Sequence, residues 1–561
     1  MKDPLEFKNN KPVFPMSVTD MSANKTGSWR YMRPLYEEKT APCIKGCPAG
    51  ERIPLYFALV KEKRYEEAWH IILQDNPLPG VCGRVCYHPC ENVCNRQEFD
   101  ETIAINNMER FVADQNLKNG YPKHFFKKAS GKTIAIIGSG PAGLSAAFQL
   151  ACKGHKVTIY EALSEAGGML RMGIPKYRLP REILDKEIKD IKSLGVEIVT
   201  NCKIGKDIKI NDLQEKHSAL LIASGATRSR SLGVPGENKK GVSSGLKFLK
   251  DFNLADKRLA ARNLVVVGGG NTAIDCARSA IRLGSEVTII YRRSRNEMPA
   301  VPEEIEEAEK EGVHINYLTN PVSFLGNGKL EKIKVQSMTL TDADDDGRRR
   351  PVPLKDSEYE IDADQVLLAI GEVPDLEFLP GGFQENWGRV SVDTYQMTSE
   401  KGIFACGDAA AGPVGTVVDA IATGKRSAIA IHSFLTNEPF IENQFNNVVN
   451  YADINLDYFH QEKGPSYKYN DRSNIISNFD EVNLGITEKD AIREADRCFS
   501  CGTCTFCDTC LVYCPDVAIS KAKDGKGYVI DYDYCKGCGV CVYECPRHAM
   551  LFKEELKWQT V

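Results

Sequence analysis

The sequence predicts a multidomain α/β protein with a cysteine-rich region towards each end. Two central segments each show an apolar strand, a glycine-rich turn and a helix in succession, which is the pattern of a nucleotide-binding βαβ unit. Sixteen of the 20 cysteines fall in two short stretches, six between residues 43 and 94 and ten between residues 498 and 545. At 561 residues the chain is too long for a single hydrophobic core, so several domains are expected.

The first βαβ unit contains the spacing Gly138-x-Gly140-x-x-Gly143. Its second strand, 156–160, ends at Glu161, 18 residues beyond the last glycine. Glycines at these positions let the backbone approach a pyrophosphate at a helix N-terminus, and the acid accepts hydrogen bonds from a ribose diol. Because strand, turn, helix and acid are all present, we favour a dinucleotide site over a purely structural glycine turn.

The second unit carries the spacing Gly268-x-Gly270-x-x-Ala, and its second strand, 286–291, is followed by Arg292 and Arg293 in place of an acid. Arginines at that point suit a 2'-phosphate, which a carboxylate would repel. The unit therefore favours NADP(H). Two alternatives remain: the unit binds NAD(H), or the arginines only cover the protein surface.

A third segment, 402–409, is a short apolar strand that ends at Gly407-Asp408. After two nucleotide units it fits the place where an acid holds the ribityl chain of FAD. In isolation the same segment would indicate only a strand and a turn.

These segments together resemble one family, the small subunit of glutamate synthase and its relatives, which include the N-terminal part of dihydropyrimidine dehydrogenase. The resemblance covers roughly residues 40–435 and is carried by GSGPAGL at 138–144, AGGMLRMGIPKYRLP at 166–180, GGGNTAID at 268–275, YRRSRNEMPA at 291–300 and GIFACGDAAAGPVGTVVDAIATGKRSA at 402–428. It implies two nested Rossmann-like domains, with the NADP(H) domain inserted into the FAD domain. The cofactor-binding residues it implies are Gly138, Gly140, Pro141, Ala142, Gly143, Glu161, Gly168, Leu170, Arg178, Gly225, Gly371, Gly407, Asp408 and Val418, together with Gly268, Gly270, Asn271, Thr272, Arg292 and Arg293 at the nicotinamide nucleotide.

The N-terminal cysteines have metal-like spacings among helix-like segments, of which the amphipathic run 53–73 is one example. In the family this region binds two 4Fe-4S clusters. The resemblance implies that one cluster is held by Cys47, Cys86, Cys90 and Glu109. The other keeps only Cys43 and Cys94, because Lys39-Thr40-Ala41-Pro42 stands where the family has a further C-x-x-C.

A replacement for the missing pair occurs late in the chain. The segment 487–497 is a predicted helix capped by Thr487, with Asp490 three residues on. It leads into Cys498-x-x-Cys501, within a run that reproduces the absent motif almost residue for residue. We predict that these two cysteines complete the cluster of Cys43 and Cys94. The alternative is a vestigial or empty site.

The last cysteines form two complete runs of the bacterial ferredoxin type, each ending in Cys-Pro. In such domains the fourth cysteine of each run binds the other cluster. A zinc ribbon would lack the third cysteine and the proline, so it is disfavoured. One 4Fe-4S cluster is therefore assigned to Cys504, Cys507, Cys510 and Cys545, and the other to Cys535, Cys538, Cys541 and Cys514.

Composition limits the partners and the location. A formal net charge of -4 argues against a nucleic-acid surface, and the mixed run 342–350 fits a solvated hairpin turn better than a binding patch. No run is long and apolar enough to cross a bilayer, and residues 1–15 lack the apolar core of a signal peptide. We expect no membrane span. Cysteine clusters without a secretion signal predict a reducing, cytoplasmic compartment.

The predicted fold class is α/β, with a helical iron-sulfur N-terminal domain, two nested Rossmann-like domains and a small α+β ferredoxin-like C-terminal domain. The predicted bounds are 1–130 for the helical 4Fe-4S domain, 131–235 and 376–435 for the two parts of the FAD domain, 236–375 for the NAD(P)H domain, 436–486 for a linker and 487–561 for the ferredoxin domain.

These features predict an oxidoreductase that moves electrons between NAD(P)H, FAD and 4Fe-4S clusters, since hydride carries two electrons and each cluster accepts one. No side-chain constellation for substrate chemistry is evident, so no catalytic residue is assigned. We expect a subunit that serves a partner, such as a 2-oxoacid or glutamate-synthase-like oxidoreductase. The second ferredoxin run is similar to the small subunit of 2-oxoacid:ferredoxin oxidoreductases. The alternative is an autonomous NAD(P)H:ferredoxin oxidoreductase.

Overall fold

The computed structural model describes residues 25–37, 39–122, 125–255, 260–343, 347–381, 383, 385–412, 415–442, 445, 447–470, 478–523, 525 and 527–555. Its contacts divide the described chain into two compact units. The larger unit comprises residues 42–445 and 461–498, and the smaller unit comprises residues 25–41, 447–460 and 499–555. No helix among the described residues is both long enough and apolar enough to cross a membrane.

The first nucleotide domain of the larger unit is a five-stranded parallel sheet. The strand Thr133–Ile137 lies at its centre, and four of its five residues are buried. The helix Pro141–Ala151 follows, with proline near its start, where the missing N–H costs nothing. In spatial order the strands are Ile403–Ala405, Ala219–Ile222, Thr133–Ile137, Lys156–Tyr160 and Glu197–Val199.

A second five-stranded parallel sheet lies between Ile222 and Ile403 in the sequence. The domain of the second sheet is thus inserted into the domain of the first, and the nested layout that the resemblance implies is confirmed. Its strands, in spatial order, are His314–Tyr317, Glu286–Tyr291, Asn263–Val267, Gln365–Leu368 and Val242–Ser244. Helices of the two domains are Met169–Met172, Arg181–Ser193, Ile210–Lys216, Gly245–Ala255, Asn271–Arg282, Pro302–Lys310 and Val417–Thr436.

An antiparallel three-stranded sheet, Thr319–Leu325, Lys332–Ala343 and Arg349–Asp362, follows the second domain's outer strand. The last two strands form the hairpin predicted for the mixed-charge run 342–350. Residues 344–346 of its turn lie outside the described residues. Smaller strand pairs are Arg228–Ser229 with Glu372–Val373, Glu385–Asn386 with Arg389–Val390, and Lys468–Tyr469 with Asn483–Gly485.

The N-terminal part of the larger unit is helical, as predicted. The amphipathic run 53–73 forms two helices rather than one, because Lys63 adopts a left-handed conformation with φ of 59°. The helix that follows Thr487 also packs in this unit, and the Thr487 Oγ accepts the Asp490 N–H, which confirms the predicted cap. The helices are Pro42–Gly46, Ile53–Lys61, Tyr65–Leu73, Pro79–Val85, Pro89–Asn92, Ile105–Gln115 and Glu488–Arg497.

The smaller unit contains the cysteine-rich C-terminal segment together with residues 25–41. Strand Met32–Tyr36 pairs antiparallel with Met550–Glu554, and Arg30 forms a two-bond ion pair with Glu555 at 2.5 and 2.9 Å. A second pair joins Ile519–Lys521 to Tyr528–Ile530. Its helices are Thr509–Val512 and Val540–Tyr543, with 3-10 turns at Thr26–Trp29, Tyr451–Asp453 and Leu456–Tyr458.

The two compact units combine segments of the chain differently from the predicted domains, which follow one another along the sequence. Residues 25–41 group with the ferredoxin segment, and residues 488–498 group with the helical and nucleotide domains. The predicted linker 436–486 is shared between the units. The domain bounds themselves remain predictions.

Candidate functional site

A cavity of about 970 Å³ opens at the carboxyl ends of the first sheet's strands. Its size is at the upper end of the range of small-molecule and cofactor pockets, roughly 300–1,000 Å³. The predicted residues that line it are Gly138, Gly140, Pro141, Ala142, Glu161, Gly168, Leu170, Gly225, Gly407 and Asp408. The first dinucleotide fingerprint and the Gly407-Asp408 turn therefore face one site, although they are about 270 residues apart.

The glycines of the first turn have distinct roles. A Cβ on Gly143 would lie 2.1 Å from the Gly138 carbonyl oxygen, so this position must be glycine for the helix to meet the strand. A Cβ on Gly140 would meet no protein atom within 4 Å and would enter the cavity. Gly140 thus leaves room for a group that approaches the backbone, which fits the pyrophosphate of FAD.

Glu161 is buried at the end of the second strand, where its carboxylate is fixed by the protein. Its Oε2 accepts the Ser139 N–H at 3.0 Å and the Ser139 hydroxyl at 2.5 Å. Its Oε1 accepts the Leu163 N–H at 2.8 Å. A carboxylate can accept about four hydrogen bonds, so capacity remains for a ribose hydroxyl.

Asp408 lies in the turn after strand Ile403–Ala405, and its Oδ1 accepts the Gly415 N–H at 2.7 Å. The long helix Val417–Thr436 begins close by, capped by Thr416, whose Oγ accepts the Asp419 N–H at 3.1 Å. Residues at its start, Val417 and Ala420, line the cavity, whereas the predicted Val418 is buried beside them in the core.

Three other predicted residues do not line the cavity. Gly143 packs at the helix–strand contact, and Gly371 accepts the Arg230 N–H through its carbonyl. Arg178 is ion-paired with Asp275 at 2.9 Å and with Glu304 at 3.1 Å. Its contact with FAD stays a prediction.

The second glycine turn has the same local geometry. A Cβ on Gly268 would lie 2.1 Å from the Ala369 carbonyl oxygen, whereas one on Gly270 would meet no protein atom within 4 Å. Asn271, at the start of the helix, accepts the Val301 N–H at 3.0 Å. Gly270, Asn271 and the neighbouring Thr272 thus form an open turn of the kind that receives a second dinucleotide.

The two arginines that follow the second strand differ in exposure. Arg293 is 6% exposed, and its Nε donates to the Arg349 carbonyl oxygen at 2.9 Å. Arg292 is exposed. Arg349 in turn donates to Glu297 at 2.6 Å, and this bond, with those from Ser294, lowers the pKa of Glu297 to about 2. Of the two arginines, Arg292 is the one with no side-chain partner among the described residues, so it can meet a phosphate without first breaking such a contact.

The predicted N-terminal thiols Cys47, Cys86 and Cys90 come together with Glu109. Burial raises the pKa of Cys47, and the charges of Glu51 and Glu109 add to the shift. Burial also raises the pKa of Cys90, with additions from Cys47, Glu91, Cys86 and Cys43. Three thiols and a carboxylate supply the four ligands that a 4Fe-4S cluster needs, and its iron would balance the charge of their deprotonated forms.

Two residues that the sequence patterns did not indicate hold this carboxylate in place. Asn76, fully buried, donates through Nδ2 to Glu109 at 2.7 Å and to Glu51 at 3.0 Å. Burial raises the pKa of Glu51 to about 7. No motif connects residues 51, 76 and 109 in the sequence, so only the folded structure could reveal this contact.

The helix before Cys498 is pinned to the N-terminal region by the two charged residues of its motif. Glu494, fully buried, accepts the Ala104 N–H at 2.9 Å. Arg497 donates to the Glu101 carbonyl at 2.6 Å and pairs with Asp100 at 3.1 Å. Cys43, Cys94 and Cys498 pack against the same hydrophobic core. The predicted fourth ligand, Cys501, belongs to the smaller unit, and its assignment stays a prediction from the sequence.

In the smaller unit the ferredoxin cysteines gather in the predicted crosswise sets. A cavity of about 20 Å³ is lined by Cys514, Cys535, Cys538 and Cys541. Burial raises the pKa of Cys510 to about 12, and the neighbours that add to the shift include Cys545, Cys504 and Cys507. Arg30 donates to the Cys535 carbonyl at 2.8 Å, which anchors the second set. Among the described residues no three His, Cys, Asp or Glu side chains form a group that could hold a single metal ion.

Comparison with known families agrees with this geometry. Residues 132–424 match the model of the pyridine nucleotide-disulphide oxidoreductases, which is more than half of the chain. The chain belongs to the pyridine nucleotide-disulphide oxidoreductase family. Two further family models match this oxidoreductase, one on each side of that region. Residues 33–121 match the model of dihydropyrimidine dehydrogenase domain II, which contains a 4Fe-4S cluster. Residues 503–549 match the model of a 4Fe-4S dicluster domain.

Curated relatives of this oxidoreductase share most of its length. The NADP(+)-dependent formate dehydrogenase subunit beta of Moorella thermoacetica is 42% identical and is matched over 82% of this chain and 70% of its own. The NADPH-Fe(3+) oxidoreductase subunit beta of Geobacter sulfurreducens is 38% identical over 83% of this chain and 75% of its own. The glutamate synthase [NADPH] small chain of Azospirillum brasilense is 33% identical over 70% of this chain and 86% of its own.

The predicted family, fold class and enzyme class of this oxidoreductase are therefore confirmed, as are the predicted cofactor classes, FAD, a nicotinamide nucleotide and 4Fe-4S clusters. The individual ligand assignments remain predictions. Sequence reasoning did not indicate the basic residues that line the cavity, which are Lys203, Lys206, Arg228, Lys247 and Lys250. They belong to no glycine or cysteine motif, and their positive charge was the only available signal.

Proposed function

We propose that this oxidoreductase is a cytoplasmic electron-transfer subunit that takes hydride from NADPH and delivers single electrons, through 4Fe-4S clusters, to a partner oxidoreductase. Bound FAD supplies the conversion between two-electron and one-electron chemistry. The observation that carries the proposal is that one helix, Val417–Thr436, lines the cavity at its start and also contacts Ala49, two residues beyond the predicted ligand Cys47.

That helix contacts the protein at both places. Its first turn lines the cavity, and Lys425, eight residues or ~12 Å further along the axis, donates to the Ala49 carbonyl at 3.0 Å and pairs with Asp75 at 2.7 Å. Ala49 is two residues beyond Cys47. Burial raises the pKa of Tyr87 to about 12, and Asp419 and Cys86 both add to the shift, so this ring lies near both residues.

The proposal of a partner rests on the relatives. The three relatives named above are beta subunits or a small chain of larger enzymes, and their names carry NADP or NADPH. The sequence patterns also predict no constellation of side chains for substrate chemistry. We therefore place substrate turnover on the partner. Purification of the chain from its native cells should yield a complex, and a lone chain with full activity would contradict this part of the proposal.

Electron exit is tested by Cys538→Ser, which removes one predicted thiolate of the second ferredoxin set. In anaerobic stopped-flow experiments with NADPH, flavin bleaching should keep its wild-type rate, because the cavity is unchanged. Electron delivery to an external acceptor should fall, and chemical analysis should show less iron per chain. Cys152→Ser, at a lone cysteine outside every predicted set, is the matched control. Unchanged acceptor reduction together with full iron content in Cys538→Ser would refute the ferredoxin route.

Nucleotide preference is tested by Arg292→Ala. Hydrogen bonds to a charged group are worth ~1.5–3 kcal/mol, so kcat/KM for NADPH should fall about 10–150-fold. The value for NADH should change little, since NADH carries no 2'-phosphate. Arg262→Ala, an exposed arginine paired with Glu286 at 3.4 Å before the strand, is the control. An unchanged NADPH/NADH ratio in Arg292→Ala would show that this arginine does not set the preference.

A further inference from the structure

Tyr56 is a fully buried phenol whose hydroxyl group has no hydrogen-bond partner among the described residues. It lies in the helix Ile53–Lys61, and its relative exposure is 0%. Buried hydroxyl groups in native proteins nearly always have a partner, because an unmade hydrogen bond is costly. An unpartnered hydroxyl therefore indicates a group that the protein chain alone does not provide.

The surroundings of Tyr56 include several of the predicted cluster ligands. Tyr56 belongs to the same buried core as Cys47 and Cys90, and the ionisable groups near it include Glu51, Glu109, Cys90 and Cys43. Cys90 and Glu109 belong to one predicted N-terminal set, and Cys43 belongs to the other. The Tyr56 hydroxyl can donate one hydrogen bond, and no described residue accepts it.

We propose that Tyr56 donates a hydrogen bond to a sulfur atom of the 4Fe-4S cluster held by Cys47, Cys86, Cys90 and Glu109, and so raises the reduction potential of that cluster. The inference rests on the proposed function, because it requires the cluster. One-electron reduction adds negative charge to a cluster, and a donor stabilises the more negative form more strongly. Tyr56 would therefore adjust the reduction potential of the cluster without itself binding iron.

The test is Tyr56→Phe, which removes the hydroxyl and keeps the ring. Anaerobic protein should retain its full iron and sulfide content, and an EPR-monitored redox titration should show the potential of one N-terminal cluster shifted to a lower value. Tyr121→Phe is the matched control. Tyr121 lies in the same hydrophobic core, but its hydroxyl donates to the Pro77 carbonyl at 3.4 Å, and its removal should leave every cluster potential unchanged.

A second variant distinguishes an effect on the cluster potential from an effect on protein folding. Site-specific replacement of Tyr56 by 3-fluorotyrosine keeps the hydroxyl and makes it a stronger donor, so the same potential should rise. Wild-type potentials in both variants, with full iron content, would overturn the inference. If Tyr56→Phe does not retain its clusters, the fluorinated protein decides the question alone. A wild-type protein that never contains N-terminal clusters would instead overturn the proposed function.

Discussion

Glu311→Ala is expected to lower the free energy of unfolding of the NAD(P)H domain by about 3–5 kcal/mol, the cost of breaking a buried ion pair from one side. The Glu311 carboxylate accepts from Arg278 at 2.6 and 3.0 Å and from Arg282 at 2.6 and 2.8 Å. The arginine side chains are only 2% and 0% exposed. Without Glu311, Arg282 would keep its stacking on the Tyr177 ring, 3.9 Å away, but no carboxylate partner among the described residues.

Thermal or urea unfolding monitored by circular dichroism measures this effect. Glu309→Ala is the control, because Glu309 belongs to the adjacent helix but pairs with the exposed Arg295. Exposed ion pairs are worth ~0–1 kcal/mol, so the control should unfold almost as the wild type does. Equal unfolding midpoints for Glu311→Ala and the control would show that the buried ion pairs of Glu311 do not stabilise the domain.

Gly143→Ala is expected to abolish retention of FAD during purification. The new Cβ would lie 2.1 Å from the Gly138 carbonyl oxygen, and real contacts of this kind do not occur below about 3.0 Å. Either the helix or the turn must therefore move, and both shape the cavity. Flavin absorbance per chain is the measurement, and retention of a full equivalent of flavin would contradict the prediction.

Gly140→Ala separates cofactor contact from local folding. Gly140 has φ of -68°, which alanine adopts without strain, and its Cβ would meet no protein atom within 4 Å. The methyl group would instead occupy space that the pyrophosphate approaches, at a cost of ~1–3 kcal/mol or about 5–150-fold in FAD affinity. The stability of the flavin-free protein should not change. Gly120→Ala, also without protein atoms within 4 Å, should change neither quantity.

Local sequence patterns predicted the central fold well, because each strand and helix there could be recognised from its own residues. The strands 156–160 and 286–291 occur with the predicted bounds, and the helix after Thr487 has the predicted cap. The nested order of the two sheets came only from the family resemblance. Strand Met32–Tyr36 was missed because it is five residues long, contains a proline and pairs with a segment more than 500 residues away.

The residues of the candidate site also fall into those that local sequence patterns predicted and those that they did not. The cysteines could be assigned because their spacing is local and regular, and the glycine turns because each role depends on neighbouring backbone. Tyr56, Asn76 and Arg178 could not be placed, since their partners are distant in the sequence. Arg178, carried over from the family as a cofactor contact, lies in an ion-pair network with Asp275 and Glu304.

The pairing of Met32–Tyr36 with Met550–Glu554 also constrains the order of events during synthesis. The first of these strands leaves the ribosome hundreds of residues before its partner exists, so it must wait, unpaired, while the nucleotide domains fold. An excised fragment covering only residues 487–561 would lack this strand and Arg30, and would expose an open sheet edge. Completion of this two-stranded sheet therefore requires synthesis of the chain through residues 550–554.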